Sequence, residues 1–265
     1  MILSAPPATP WVVLALASYL AALVPPSSQR VWPSRALLLG GLLHGLSLVV
    51  AAGWLDGQEG WYIGFAPVLS LTWWLVLLVH EVESRLLPMA GVRRGLALGG
   101  VLTVGLAWVF PGGEHPVAHS NLAPLHWVLG LTSYGLFGVA VVHALMLDTT
   151  DRHLRHRQTG ATATFGLPLL RLERLTFHFV EAGFAVLTLA VLLGLLSGQP
   201  WRWDHKTVLS LLGWGVFAHL VAGRRLRGWR GRRATRWLYA GTLLLLLAYV
   251  GSRFVMQVLL HRMPE

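Results

Sequence analysis

Between residues 201 and 207 the chain reads Trp201-Arg202-Trp203-Asp204-His205-Lys206-Thr207, two indoles spaced i,i+2 with a carboxylate and fixed cations in one short window. Twelve histidines and 13 tryptophans occur in 265 residues, and there is no cysteine. Without a thiol there is no disulfide, no thiolate metal site, no Cys nucleophile and no covalent attachment of a c-type heme. A metal or heme must then be held by histidine or oxygen. A flat, apolar, iron-containing macrocycle calls for rings to stack on, cations for its propionates and neutral imidazoles as axial ligands, and this window with nearby histidines supplies all three types. The same residues also suit a plain aromatic belt with interfacial charges, so both readings stand at this point. No nucleotide-binding loop, His-Glu-x-x-His helix or Gly-x-Ser-x-Gly elbow is present, and a classical enzyme is the weaker expectation.

The elements that must position these residues are membrane helices. With 55% hydrophobic residues, 12% charged and a mean hydropathy of +0.60, a water-soluble globule is excluded. Apolar runs long enough to cross about 30 Å of hydrocarbon fall near 9–24, 35–54, 62–80, 94–111, 124–148, 174–197, 206–223 and 235–259. The expected fold is all-α, a polytopic membrane bundle of about eight transmembrane helices. No Lys or Arg precedes the first run, which favours a retained helix over a signal peptide.

Lys and Arg cluster at the connections after runs 1, 3, 5 and 7, which with their flanking turns hold 17 of the 21. By the positive-inside rule those connections are cytoplasmic, and both termini and segments 55–61, 112–123 and 198–205 face outward. The run Arg224, Arg225, Arg227, Arg230, Arg232, Arg233 then meets anionic headgroups of membrane lipid, not nucleic acid. One integral membrane domain is expected over 1–265, with a front block of five helices (1–148), a cytoplasmic linker (149–173) and a back block of three helices carrying the Trp-rich segment (174–265).

This orientation gives each histidine a depth. His126 lies just inside the outer end of run 5, and His261 follows run 8 on the same side. His44 is mid-membrane in the Gly-rich stretch Gly40-Gly41-Leu-Leu-His44-Gly45, where a ligand or a second helix can approach closely. In run 6, Glu181 lies at hydrocarbon depth with His178 three residues earlier on the same face. With His143 and His219 at similar depth, they form either a proton or cation path or a polar cluster joining helices.

From about Leu172 onward the chain resembles the cytochrome c assembly proteins, polytopic heme-handling membrane proteins with a tryptophan-rich "WWD" segment. The matching residues are Leu172-Glu173-Arg174-Leu175, Gly183, Leu187, Trp201-Arg202-Trp203-Asp204 with Lys206, Gly228-Trp229-Arg230-Gly231 and Tyr249-Val250-Gly251, with Leu125-His126 opening a Ser/Tyr-containing helix upstream. The Trp-Asp-His-Lys-Thr wording is nearest the short inner-membrane YpjD/HemX-like branch. The motif is shorter than in delivering members: Ser197-Gly198-Gln199-Pro200 replaces an aromatic approach to Trp201, and His205 and Thr207 stand where those members have Pro and Glu.

The resemblance implies bis-histidine ligation of heme iron by His126 and His261. It also implies stacking on Trp201 and Trp203 beside Asp204, propionate contact from Arg202 or Lys206, and a transmembrane heme contact at His44. The expected function is to hold or present non-covalent heme b at the outer face of a bacterial inner membrane during cytochrome c biogenesis, as a multi-pass protein. Apocytochrome c or other cytochrome assembly proteins are the expected partners. The alternatives are a proton, cation or small-solute transporter using His178 and Glu181, or a membrane scaffold.

Overall fold

In a computed structural model, residues 8–25, 32–52, 60–86, 91–116, 122–155, 169–196 and 203–259 are described. Eight apolar helices are present among them: α1 Thr9–Ala22, α2 Trp32–Ala51, α3 Phe65–Leu86, α4 Arg93–Val109, α5 Ala123–Arg155, α6 Leu169–Leu196, α7 His205–Arg227 and α8 Gly231–Leu246. Two π-helical turns, Leu247–Gly251 and Val255–Leu259, continue α8 around the short helical piece Ser252–Phe254. Six segments are long and apolar enough to cross a membrane: Trp32–Ala51, Phe65–Arg85, Pro124–Arg152, Leu169–Leu196, His205–Arg227 and Gly231–Leu259. At 14 residues α1 spans about 21 Å, short of a 30 Å hydrocarbon layer. The chain is a polytopic helical membrane protein.

A two-stranded antiparallel ribbon, not expected from the sequence, joins two connections: β1 Gly60–Ile63 pairs with β2 Gly113–Pro116, Gly60 opposite Pro116 and Ile63 opposite Gly113.

The described chain forms two compact units, residues 1–82 with 91–117 and residues 83–90 with 118–265. In hydrocarbon the apolar effect does not draw helices together, so association depends on close van der Waals fit, for which small residues make room. In the first unit the ring of Tyr19 fills that role. A Cβ on Gly40 of α2 or Gly100 of α4 would come within 2.7 Å of it, so both glycines are needed for the rings and backbones to meet. Trp74 lies against Gly45 in the same way and donates its indole N–H to the Gly41 carbonyl at 2.9 Å.

The second unit is built on α5 to α8. Phe137 and Phe217 stack at 3.8 Å, and Gly183 and Gly241 leave the space those rings occupy. Val180, Leu187, Leu220, Leu238 and Leu245 complete the buried centre. Three cross-helix bonds fix the relative heights. The Tyr134 hydroxyl donates to the Leu245 carbonyl at 2.5 Å, Trp214 Nε1 donates to Thr188 Oγ1 at 3.0 Å, and His126 bonds the Ala190 carbonyl at 2.9 Å. They bring the start of α5, the end of α6, the start of α7 and the π-turned continuation of α8 to one end of this unit.

Candidate functional site

That end carries the described part of the Trp-rich window. Asp204 is the N-cap of α7: its Oδ1 accepts the Thr207 backbone N–H at 2.8 Å, satisfying a donor that the first helical turn leaves open. Partial burial opposes ionisation of Asp204. The bonds from Thr207 and the charges of Lys206 and His205 outweigh it and hold the carboxyl below its ordinary value. The cap fixes the geometry of its neighbours, with Trp203 immediately before it 73% exposed and His205 and Lys206 exposed in the first turn of α7.

Lys206 Nζ lies 5.7 Å from the ring centroid of Tyr249 and Arg253 Cζ lies 5.8 Å from the same ring. Tyr249 sits inside the π-turn Leu247–Gly251, a feature that changes helical phase and recurs at functional positions. Tyr134 braces the carbonyl two residues ahead of that turn. Arg253 was not among the expected site residues. It falls four residues after Tyr249, one turn along, which was the available signal.

On α5, His126 is half-buried and its Nδ1 faces the Ala190 carbonyl. A carbonyl only accepts, so Nδ1 must carry the proton, and in the neutral ring Nε2 keeps its lone pair. No described residue bonds Nε2. A backbone carbonyl fixing one nitrogen of an imidazole whose other nitrogen is available is the usual arrangement behind a metal-ligating histidine. Gly194, one turn beyond Ala190, makes room for the ring, since a Cβ there would lie 3.2 Å from His126 Cε1. His126 therefore fits a metal-ligating role at this end of the unit, the end that also carries Trp203, Lys206 and Arg253. Trp201, Arg202 and His261 lie outside the described residues.

His44 has a different environment. It is fully buried, with Nδ1 3.0 Å from the Tyr19 hydroxyl and Nε2 2.8 Å from Ser70 Oγ. Both ring nitrogens are engaged, and the space beside Gly40 and Gly45 is filled by Tyr19 and Trp74. In this structure His44 is a polar link between α1, α2 and α3.

Of the two readings open for His178 and Glu181, the geometry favours separate structural pairings. Glu181 pairs with Arg225 at 3.1 Å, with both side chains partly exposed at the protein surface, and His178 is exposed. His143 is buried against Glu83 at 3.2 Å, whereas His219 meets the rings of Trp229 and Trp237 at 4.9 and 4.7 Å. Glu181, His143 and His219 thus have separate partners, and among the described residues no three His, Asp or Glu side chains converge as metal ligands. A carboxylate placed at hydrocarbon depth by hydropathy is thus reached by an arginine from the end of α7.

The other matched motif has a local cause. Gly228 at φ 64° ends α7, with its N–H on the Arg224 carbonyl and the Trp229 N–H on the Gly223 carbonyl. This turn lays Trp229 over Gly223, where a Cβ would lie 2.4 Å from the ring.

Residues 61–260 match the family model described as Cytochrome C assembly protein. The chain is 30% identical over 216 residues to the inner membrane protein YpjD of Escherichia coli, covering 77% of this chain and 79% of that one. Two proteins called cytochrome c biogenesis protein CcsA are also similar. That of Synechococcus is 25% identical over 234 residues, 84% of this chain and 66% of its own. That of Gloeobacter violaceus is 33% identical over 110 residues, 37% of this chain and 32% of its own. No solved structure matches. With its membrane helices and this match over most of its length, the chain belongs to the cytochrome c assembly protein family.

Proposed function

We propose that this protein holds heme for cytochrome c assembly at the outer face of a bacterial inner membrane and passes it on without covalent attachment. The observation that carries the reading is the His126 imidazole, fixed through Nδ1 by Ala190 with Nε2 available, at the bundle end where Trp203 and Lys206 also lie. Family membership, the CcsA similarity and the inner-membrane name of YpjD support the same direction.

In this reading heme is cargo, an iron porphyrin whose thioether bonds are made later to thiols of an apocytochrome, since this chain has no cysteine. His126 supplies one neutral axial nitrogen and His261 the other. Trp203, with Trp201, offers a ring face, and Asp204 holds the window in register by capping α7. Lys206, with Arg202, faces the propionates. The distribution of Lys and Arg supports the outward assignment of this end. Purification from heme-replete membranes tests the proposal: the protein should show a Soret band that His126→Ala removes or shifts, and a band indifferent to that substitution contradicts it.

A further inference from the structure

A second, unrelated feature lies where α6 begins and α7 ends. A cavity of about 210 Å³ there is lined by Leu170, Glu173, Arg174, Arg224 and Arg230. Its charges are unbalanced. Glu173 is already paired with Arg224 at 3.2 Å, and that guanidinium also lies 3.7 Å over the Phe177 ring and reaches the Trp229 carbonyl at 3.4 Å. Arg224 is therefore a fixed wall whose charge is compensated. Arg174 and Arg230 are exposed, and no described residue pairs with either. Two uncompensated guanidiniums thus face one cavity, a geometry suited to a phosphate with several acceptor oxygens.

The helix ends sharpen the imbalance. Arg230 is the N-cap residue of α8 and provides no side-chain cap, so a cation sits at the positive end of that helix where an acid is normally favourable. The first turn of α6 holds no acid either. An anion in the cavity relieves both.

The surroundings choose the source of that anion. The cavity lies at the ends of two segments long and apolar enough to cross a membrane, and Leu170 on its wall is 70% exposed, with Leu226, two residues after Arg224, 84% exposed. Trp229 and Trp237, 6.3 Å apart and nearly parallel, flank His219 at the same helix junction, and Arg233 lies 4.1 Å over Trp229. Aromatic rings, arginines and exposed leucines together mark headgroup depth, where a phosphate arrives attached to acyl chains.

We propose that the cavity of Leu170, Glu173, Arg174, Arg224 and Arg230 binds the phosphodiester of an anionic glycerophospholipid. Native mass spectrometry of the full chain, delipidated in detergent and titrated with phosphatidylglycerol or phosphatidylcholine, tests this. Phosphatidylglycerol should be retained in preference. The double variant Arg174→Gln/Arg230→Gln should lower its occupancy roughly tenfold, Arg174→Lys/Arg230→Lys should restore part of it, and Arg227→Gln, outside the cavity, should leave it unchanged. Equal retention of the two lipids, or a double variant no different from Arg227→Gln, overturns the proposal. Displacement of the lipid by millimolar inorganic phosphate also overturns it, assigning the cavity to a soluble anion.

Discussion

The imidazole of His126 on α5 reaches the carbonyl of Ala190 on α6 at 2.9 Å, and that single bond determines which ring nitrogen keeps a lone pair. Gly194 is the accessory to this contact. A Cβ at that position would lie 3.2 Å from His126 Cε1, so Gly194→Ala demands a shift of a few tenths of an ångström and a branched side chain demands more. Gly194→Val should therefore lower the heme-to-protein ratio of purified protein while Gly194→Ala has a smaller effect. A valine variant as heme-rich as the parent shows that the Ala190-tethered pose is not the ligating one.

His44 should behave as a structural residue. Replacing it by leucine leaves the hydroxyls of Tyr19 and Ser70 without their buried partner, at a cost of about 1–3 kcal/mol for each orphaned group. The expected result is a lower thermal midpoint with heme content unchanged per folded molecule. Loss of heme at an unchanged midpoint contradicts this assignment.

Removing the α7 cap by Asp204→Ala should destabilise by about 1 kcal/mol. The folded carboxyl is held below its ordinary value, so the ionic part of its contribution is complete above the unfolded carboxylate pKa and disappears as pH falls through the lower, folded one. The difference in thermal midpoint between parent and alanine variant should accordingly be full at neutral pH and shrink in acid. A difference that grows on acidification reverses the sign and refutes the cap's ionised state.

The Glu181–Arg225 pair is exposed at the protein surface, and pairs exposed to water contribute about 0–1 kcal/mol. Glu181→Gln should leave stability and proton permeability of reconstituted vesicles unaltered. An abolished proton or cation flux returns the transporter reading.

Much of this architecture is legible in the residues themselves. The helices follow from runs of apolar side chains of membrane length, and the importance of 201–207 follows from two indoles beside fixed charge. The helix starts were less legible, because Arg171, Glu173 and Arg174 look like a loop in a hydropathy profile yet lie in α6, which begins at Leu169. Long charged side chains extend from a helix end into polar surroundings, so charge does not terminate a membrane helix. The β1/β2 ribbon escaped because four-residue strands carry little pattern and their pairing joins positions 50 or more residues apart. The pairing of Glu181 escaped for a related reason: its partner Arg225 is distant in sequence, and depth alone does not reveal a counter-ion. Tyr19 filling the space beside Gly40 and Gly100 is likewise a property of three helices together.

Whether His126 ligates heme iron is decided by absorption spectroscopy of the full chain purified from heme-replete membranes, with heme quantified per protein for the parent, His126→Ala and His126→Ala supplied with imidazole. The parent should show a Soret band, His126→Ala should lose or shift it, and imidazole replacing the missing ring should restore the spectrum toward the parent's. A parent without heme, or a His126→Ala variant with the parent's spectrum and heme content, contradicts ligation by His126.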